Sequence, residues 1–123
     1  MRYSKIYCTY IMTNQRDTVF YIGVTSNLLG RVWQHKTKAH LGSFTARYNI
    51  DKLVYFAEFS DINEAISYEK KLKKWHRQWK INLIKRNNPG FNDLSKEWYE
   101  KENGEKWNRL DRNVTIVKKK AVV

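Results

Sequence analysis

Arg31 and His35 stand four residues apart, so on a helix they share one face and can reach one point. Arginine offers a forked cation to a phosphate oxygen, and histidine transfers protons near neutral pH. Farther along, residues 62–75 read as a helical wheel place Ile62, Ala65, Ile66, Leu72 and Lys73 on one stripe, with Glu69 between them. A carboxylate on a core-facing stripe is costly unless a cation or hydrogen-bond donors satisfy it. Three readings of Glu69 stand side by side: a functional carboxylate, a solvated one on a rotated stripe, or a partner of Arg31. Tyr10 and Tyr21 sit in two apolar runs, where their hydroxyls can converge on one face of a sheet or their rings can simply pack.

The charge points the same way. Among 123 residues, 24 are Lys or Arg and 12 are Asp or Glu, a net charge of +12 that favours a polyanionic partner, nucleic acid before an anionic membrane. The densest block is residues 70–86, with Lys70, Lys71, Lys73, Lys74, Arg77, Lys80, Lys85 and Arg86 and no acid. Trp75, His76 and Trp79 interleave with these cations, the two tryptophans at a spacing that favours packing into the core over contact with a ligand. Together with Lys36 and Lys38, the block is expected to track a nucleic-acid backbone, giving affinity and little sequence choice.

Positioning these residues requires a small mixed fold. Lys5 to Met12 alternates as a strand, and Thr13-Asn14-Gln15-Arg16-Asp17 is a polar turn. Thr18 to Ile22 is a second strand ended by Gly23, and the two predict an antiparallel hairpin. Thr25-Ser26-Asn27 supplies N-cap oxygens for a helix over Leu28–Lys38, and His40 to Asn49 reads as loop. Lys52 to Phe59 is a third strand. Asp61 caps a long helix, with Glu64 at the capping-box spacing, that runs to about Arg86 with a break near His76. Asn87-Asn88-Pro89-Gly90 stops it. Phe20, Tyr55, Phe56 and Trp75 are the aromatic core candidates. The expected organisation is one domain over residues 1–95 in the order β-β-α-β-α-α, and a charged extension over 96–123 that is either a docked helix or an arm.

Other classes fall away. The aromatic share of 15% argues against disorder, and a single cysteine excludes a disulfide framework or a cysteine-rich zinc site. No apolar run approaches the ~20 residues of a membrane span, and the first residues lead into no signal-peptide core. A cytoplasmic location without membrane attachment is the expectation.

Taken in order, Cys8-Thr9-Tyr10, Tyr21-Ile22-Gly23, Arg31, His35, Ala65-Ile66-Ser67-Tyr68-Glu69-Lys70-Lys71-Leu72 and Pro89-Gly90-Phe91-Asn92 resemble the GIY-YIG nuclease family. The family is named for a Gly-Ile-Tyr and a Tyr-Ile-Gly tripeptide on neighbouring strands. Here the second tripeptide is intact, the tyrosines lie 11 apart, and Arg31 follows Tyr21 by 10. The likeness covers roughly residues 3–95 and is greatest to small stand-alone bacterial members, related to the excinuclease nuclease domain and to Slx-type endonucleases. There are two departures: Cys8-Thr9 replaces Gly-Ile, and Val24 stands where excinuclease-type members carry a lysine.

The resemblance implies an α+β fold, a small three-stranded antiparallel sheet flanked by helices. It also implies an endonuclease that hydrolyses phosphodiester bonds, with DNA the expected substrate and a further protein partner for targeting allowed. Its cofactor would be one divalent ion, Mg²⁺ or Mn²⁺, held by the single carboxylate of Glu69. Arg31 would clamp the scissile phosphate, and either Tyr10 or Tyr21 would receive the proton of the attacking water, with His35 relaying it. Asn92 would orient phosphate, support the site from behind, or simply pack at the helix end. Two rivals stand beside it: a non-catalytic nucleic-acid-binding module on the same fold, and a basic interaction module whose partner is an acidic protein or a membrane.

Overall fold

A computed structural model describes residues 5–101 and 116–118. Three strands, β1 (Tyr7–Thr13), β2 (Phe20–Thr25) and β3 (Lys52–Phe59), form an antiparallel sheet in the order β2-β1-β3. Strand alternation divides its side chains between two faces. On one face Tyr10 and Met12 join Val32, Ile50, Leu53 and Tyr99 in a buried cluster, against helix α1 (Leu28–Thr37). On the other, Ile11, Ile22 and Val54 pack with Leu72, Leu83 and Ile84 from α3 (Ile62–Lys74) and α4 (Arg77–Asn87). The fold is therefore the α+β sandwich the sequence implies. Phe20, Tyr55, Phe56 and Trp75 are half-buried around these two clusters rather than at their centres.

Local chemistry sets the boundaries. Asn27 caps α1 by accepting from the Gly30 amide at 3.0 Å, and a Cβ at Gly30 would meet the Asn27 amide nitrogen at 2.4 Å, so a larger residue there would push this capping side chain aside. Asp61 caps α3 by accepting from the Asn63 amide. The expected break falls where it should: α3 ends at Lys74 and α4 begins at Arg77, with Trp75 and His76 in extended backbone between them.

Two expectations need correction. Strand β2 does not stop at Gly23 but runs on to Thr25, because Gly23 stays in the ladder opposite Tyr10. The stretch read as loop holds a short helix, α2 (Phe44–Arg47), capped by the Ser43 hydroxyl. Packing also continues past residue 95: Tyr99 is 2% exposed and its hydroxyl donates to the Leu29 carbonyl at 2.6 Å. The extension also contributes a strand, β4 (Tyr99–Lys101), paired antiparallel with β5 (Ile116–Lys118). The remainder of residues 102–123, including Val114 and Thr115 of the apolar stretch 114–117, lies outside the described residues.

Candidate active site

Strand β2 is one edge of the sheet, and the candidate residues gather beside it. Tyr10 is opposite Gly23 in the β1–β2 register, and its ring crosses directly over that glycine. A Cβ at position 23 would sit 2.6 Å from both Cζ and the hydroxyl oxygen of Tyr10. The glycine of the Tyr-Ile-Gly tripeptide is thus a gap through which the first tyrosine reaches its partner. That partner is His35, whose Nε2 lies 3.0 Å from the Tyr10 hydroxyl, while its Nδ1 lies 3.0 Å from Thr45 Oγ1 on α2. Tyr21 completes the ring cluster, with centroids 5.4 Å from His35 and 6.2 Å from Tyr10.

Helix α1 delivers Arg31 and His35 to one point, as their spacing predicts. Lys38 ends the helix in the left-handed region, and its amide bonds back to the carbonyls of Gln34 and His35, fixing the last turn. The Arg31 guanidinium donates to Gln34 Oε1 at 2.9 Å and is close enough to act electrostatically on both tyrosine hydroxyls. Tyr21, Arg31 and His35 line a cavity of about 220 Å³, together with Lys38, His40 and Phe44. That volume equals the share of roughly seven liquid waters, room for a phosphodiester group with some of its hydration.

Protonation states follow from this burial. Desolvation holds the His35 imidazole down at about 4, helped by the Arg31 charge and by His40, so the ring is neutral at physiological pH. Tyr10, fully buried, has its hydroxyl pushed well above the usual phenol range by desolvation and by Tyr21, with Arg31 opposing and Glu69 adding to the rise. In this state Tyr10 holds its proton and is no free base.

Glu69 arrives from the other side of the sheet. Thr9, the residue after Cys8, donates its hydroxyl to the Ala65 carbonyl at 2.7 Å, which ties β1 to α3 one turn before Glu69. The Glu69 side chain is 16% exposed, forms an ion pair with Lys73 at 3.5 Å, and acts electrostatically on Tyr10. Of the readings open for it, the pair is thus with Lys73 and not with Arg31. Among the described residues no three His, Cys, Asp or Glu side chains cluster as a metal cage. A lone, partly exposed carboxylate fits a hard divalent ion that keeps its waters and takes substrate oxygens. Cys8 is buried, and desolvation, then Glu58, pushes its thiol up to about 11; it is a packing residue, not a nucleophile.

Other expected positions separate from this cluster. Lys36 is not a surface cation: it is 7% exposed, and its ammonium donates to the Asp51 carbonyl at 2.7 Å and the Asp93 carboxylate at 2.6 Å. It staples α1 to the chain beyond α4. The Asn92 side chain is exposed, and it is Asn88 that is buried, bonding the Val54 and Asn92 carbonyls and the Asn92 amide. Lys70, Lys73 and Lys74 are exposed on α3, Lys80 is half-exposed on α4, and Arg77 stacks 4.7 Å above the Phe20 ring. Trp79, expected in the core, is 53% exposed. Sequence reading missed Thr45 and Gln34, which position His35 and Arg31. Ser43 before Phe44 was the one cue to the helix that carries Thr45.

Comparison with known proteins agrees with this geometry. The model of the GIY-YIG catalytic domain matches residues 6–82. A UPF0213 protein of Autographa californica nuclear polyhedrosis virus is 34% identical over 83 residues, covering 67% of this chain and 79% of the relative. A UPF0213 protein of Pediococcus pentosaceus is 32% identical over 78 residues, covering 63% of this chain and 81% of the relative. No solved structure gives a significant match. The matched segment contains both tyrosines, Arg31, His35 and Glu69, so the chain belongs to the GIY-YIG family, and that membership supports a function of nuclease type.

Proposed function

We propose that this chain is a metal-dependent endonuclease that hydrolyses phosphodiester bonds in DNA, selecting by structure more than by sequence, in repair, recombination or a mobile-element setting. The observation that carries the reading is the gathering of Tyr21, Arg31 and His35 around one phosphate-sized cavity, with the buried Tyr10 hydroxyl on His35, on a strongly basic chain. Arg31 binds the scissile phosphate on the cavity wall and neutralises the charge that builds up on its oxygens. Tyr21, beside it on the same wall, orients the attacking water. In the tautomer whose Nδ1–H donates to Thr45 Oγ1, His35 Nε2 accepts from the Tyr10 hydroxyl. A proton arriving at the Tyr10 oxygen can then be matched by one leaving to Nε2. An anionic phosphate in the cavity offsets Arg31 and raises the histidine from its low starting point toward a useful base. Glu69 would hold the Mg²⁺ or Mn²⁺, which supplies Lewis-acid charge to the phosphate and to the leaving oxygen.

The test is a panel of flap, fork, bubble, linear duplex and single-stranded DNAs incubated with Mg²⁺ or Mn²⁺, with Arg31→Ala protein in parallel. Cleavage concentrated on branched substrates and reduced on the order of 10²-fold by Arg31→Ala is expected. DNA binding without cleavage of any substrate would leave only the non-catalytic binding module.

A further inference from the structure

We propose that Trp79 is a stacking platform for an unpaired DNA base, so that the corner between α3 and α4 recognises single strand beside duplex. The inference rests on the nuclease reading and deepens it by naming a substrate feature. A tryptophan four residues before the buried Leu83 is expected to share its face and be covered, yet Trp79 leaves 53% of its surface in solvent. It is nonetheless held in place. The Trp75 ring stands perpendicular to it, with centroids 5.7 Å apart at 86°, and the His76 ring does so at 5.5 Å and 89°. Two perpendicular neighbours fix the indole while leaving it open to solvent, and a pre-fixed aromatic loses little freedom when a base stacks on it.

The surroundings choose the occupant. Lys70, Lys71, Lys74 and Arg77 are exposed around this corner, Lys71 lies 5.9 Å above the Trp75 ring, and residues 70–86 contain no acid. An aromatic face within a dense cationic surface is the pairing that holds single-stranded nucleic acid, with cations on the phosphates and the ring on a base. A paired base inside a duplex has no free face to offer, so stacking here discriminates by structure and not by sequence. An acidic protein segment would satisfy the lysines but gain little from a half-exposed indole.

The experiment measures affinity by fluorescence anisotropy in EDTA, so that no strand is cut, for a blunt duplex and for the same duplex with a single-stranded overhang. The proteins are wild type, Trp79→Leu and Trp79→Phe. Leucine keeps apolar bulk at the corner but has no π face, whereas phenylalanine keeps one. Trp79→Leu is expected to weaken overhang binding about tenfold and to leave blunt-duplex binding unchanged, with Trp79→Phe close to wild type. Equal losses on both DNAs, or no loss on either, would overturn the stacking role. Wild type that binds both DNAs yet cuts neither in Mg²⁺ would overturn the nuclease reading while this test still stands; failure to bind either DNA would overturn both.

Discussion

Substituting Gly23 by alanine isolates the contact on which the site is built. The new Cβ would lie 2.6 Å from Cζ and the hydroxyl oxygen of Tyr10, against an ordinary carbon contact of about 3.5–4 Å, so the ring must retreat by roughly 1 Å. Tyr10 is fully buried, and such a shift also breaks its 3.0 Å hydrogen bond to His35. Overpacking costs about 1–3 kcal/mol and the lost bond about 1 kcal/mol more, for a total of about 2–4 kcal/mol. In a domain of this size that lowers Tm on the order of 10–20 °C, measured by circular dichroism. The decisive comparison is a double-mutant cycle with Tyr10→Leu, which removes the ring the methyl strikes. The penalty of Gly23→Ala should largely vanish in the Tyr10→Leu background. A neutral Gly23→Ala, or penalties that simply add, would refute the argument that the glycine exists to let Tyr10 pass.

Three further outcomes are expected. His35 titrates at about 4 when folded against about 6.5 when unfolded, so the unfolded state takes up its proton first; stability should fall by about 3 kcal/mol as pH drops from about 6.5 to about 4, and urea unfolding of His35→Gln across that range should lack this portion of the loss. Lys36→Met should destabilise the fold by about 3 kcal/mol, because Asp93 loses its buried cation, while leaving the salt dependence of DNA binding unchanged. Lys70→Ala combined with Lys74→Ala should do the reverse, leaving Tm in place and flattening the salt slope of DNA binding by about two units.

Much of the frame could be read from local pattern. Alternation of Tyr10 and Met12 against Ile11 identified β1 and its two faces, and Asp61, His76 and Asn88-Pro89 marked where α3 and α4 begin, break and end. Arg31 and His35 were legible because helical spacing is itself geometry. What local pattern could not carry were contacts between distant segments. Lys36 looks like any surface lysine until Asp93, 57 residues on, is folded against it. Tyr99 looks like part of a charged tail until its hydroxyl meets Leu29, 70 residues away. Trp79 follows helical spacing, yet at the α3–α4 corner it stays 53% exposed beside the Trp75 and His76 rings. The Thr9–Ala65 bond explains how Cys8-Thr9 can replace Gly-Ile while α3 stays anchored near the tyrosines, and composition gives no hint of it.

The central claim is that Glu69 joins Arg31 and the tyrosines in a single phosphodiester-cleaving centre, and one side-by-side assay bears on it most directly. Wild type and Glu69→Gln are incubated with a branched DNA in Mg²⁺, cleavage is followed on a gel, and binding of the same DNA is measured in EDTA. The amide keeps the shape of the side chain but not the charge that holds a hard divalent ion. Loss of cleavage with binding unchanged or slightly tighter is the predicted result, since one negative charge near the bound phosphates has been removed. A folded Glu69→Gln protein that cuts as fast as wild type would contradict the account.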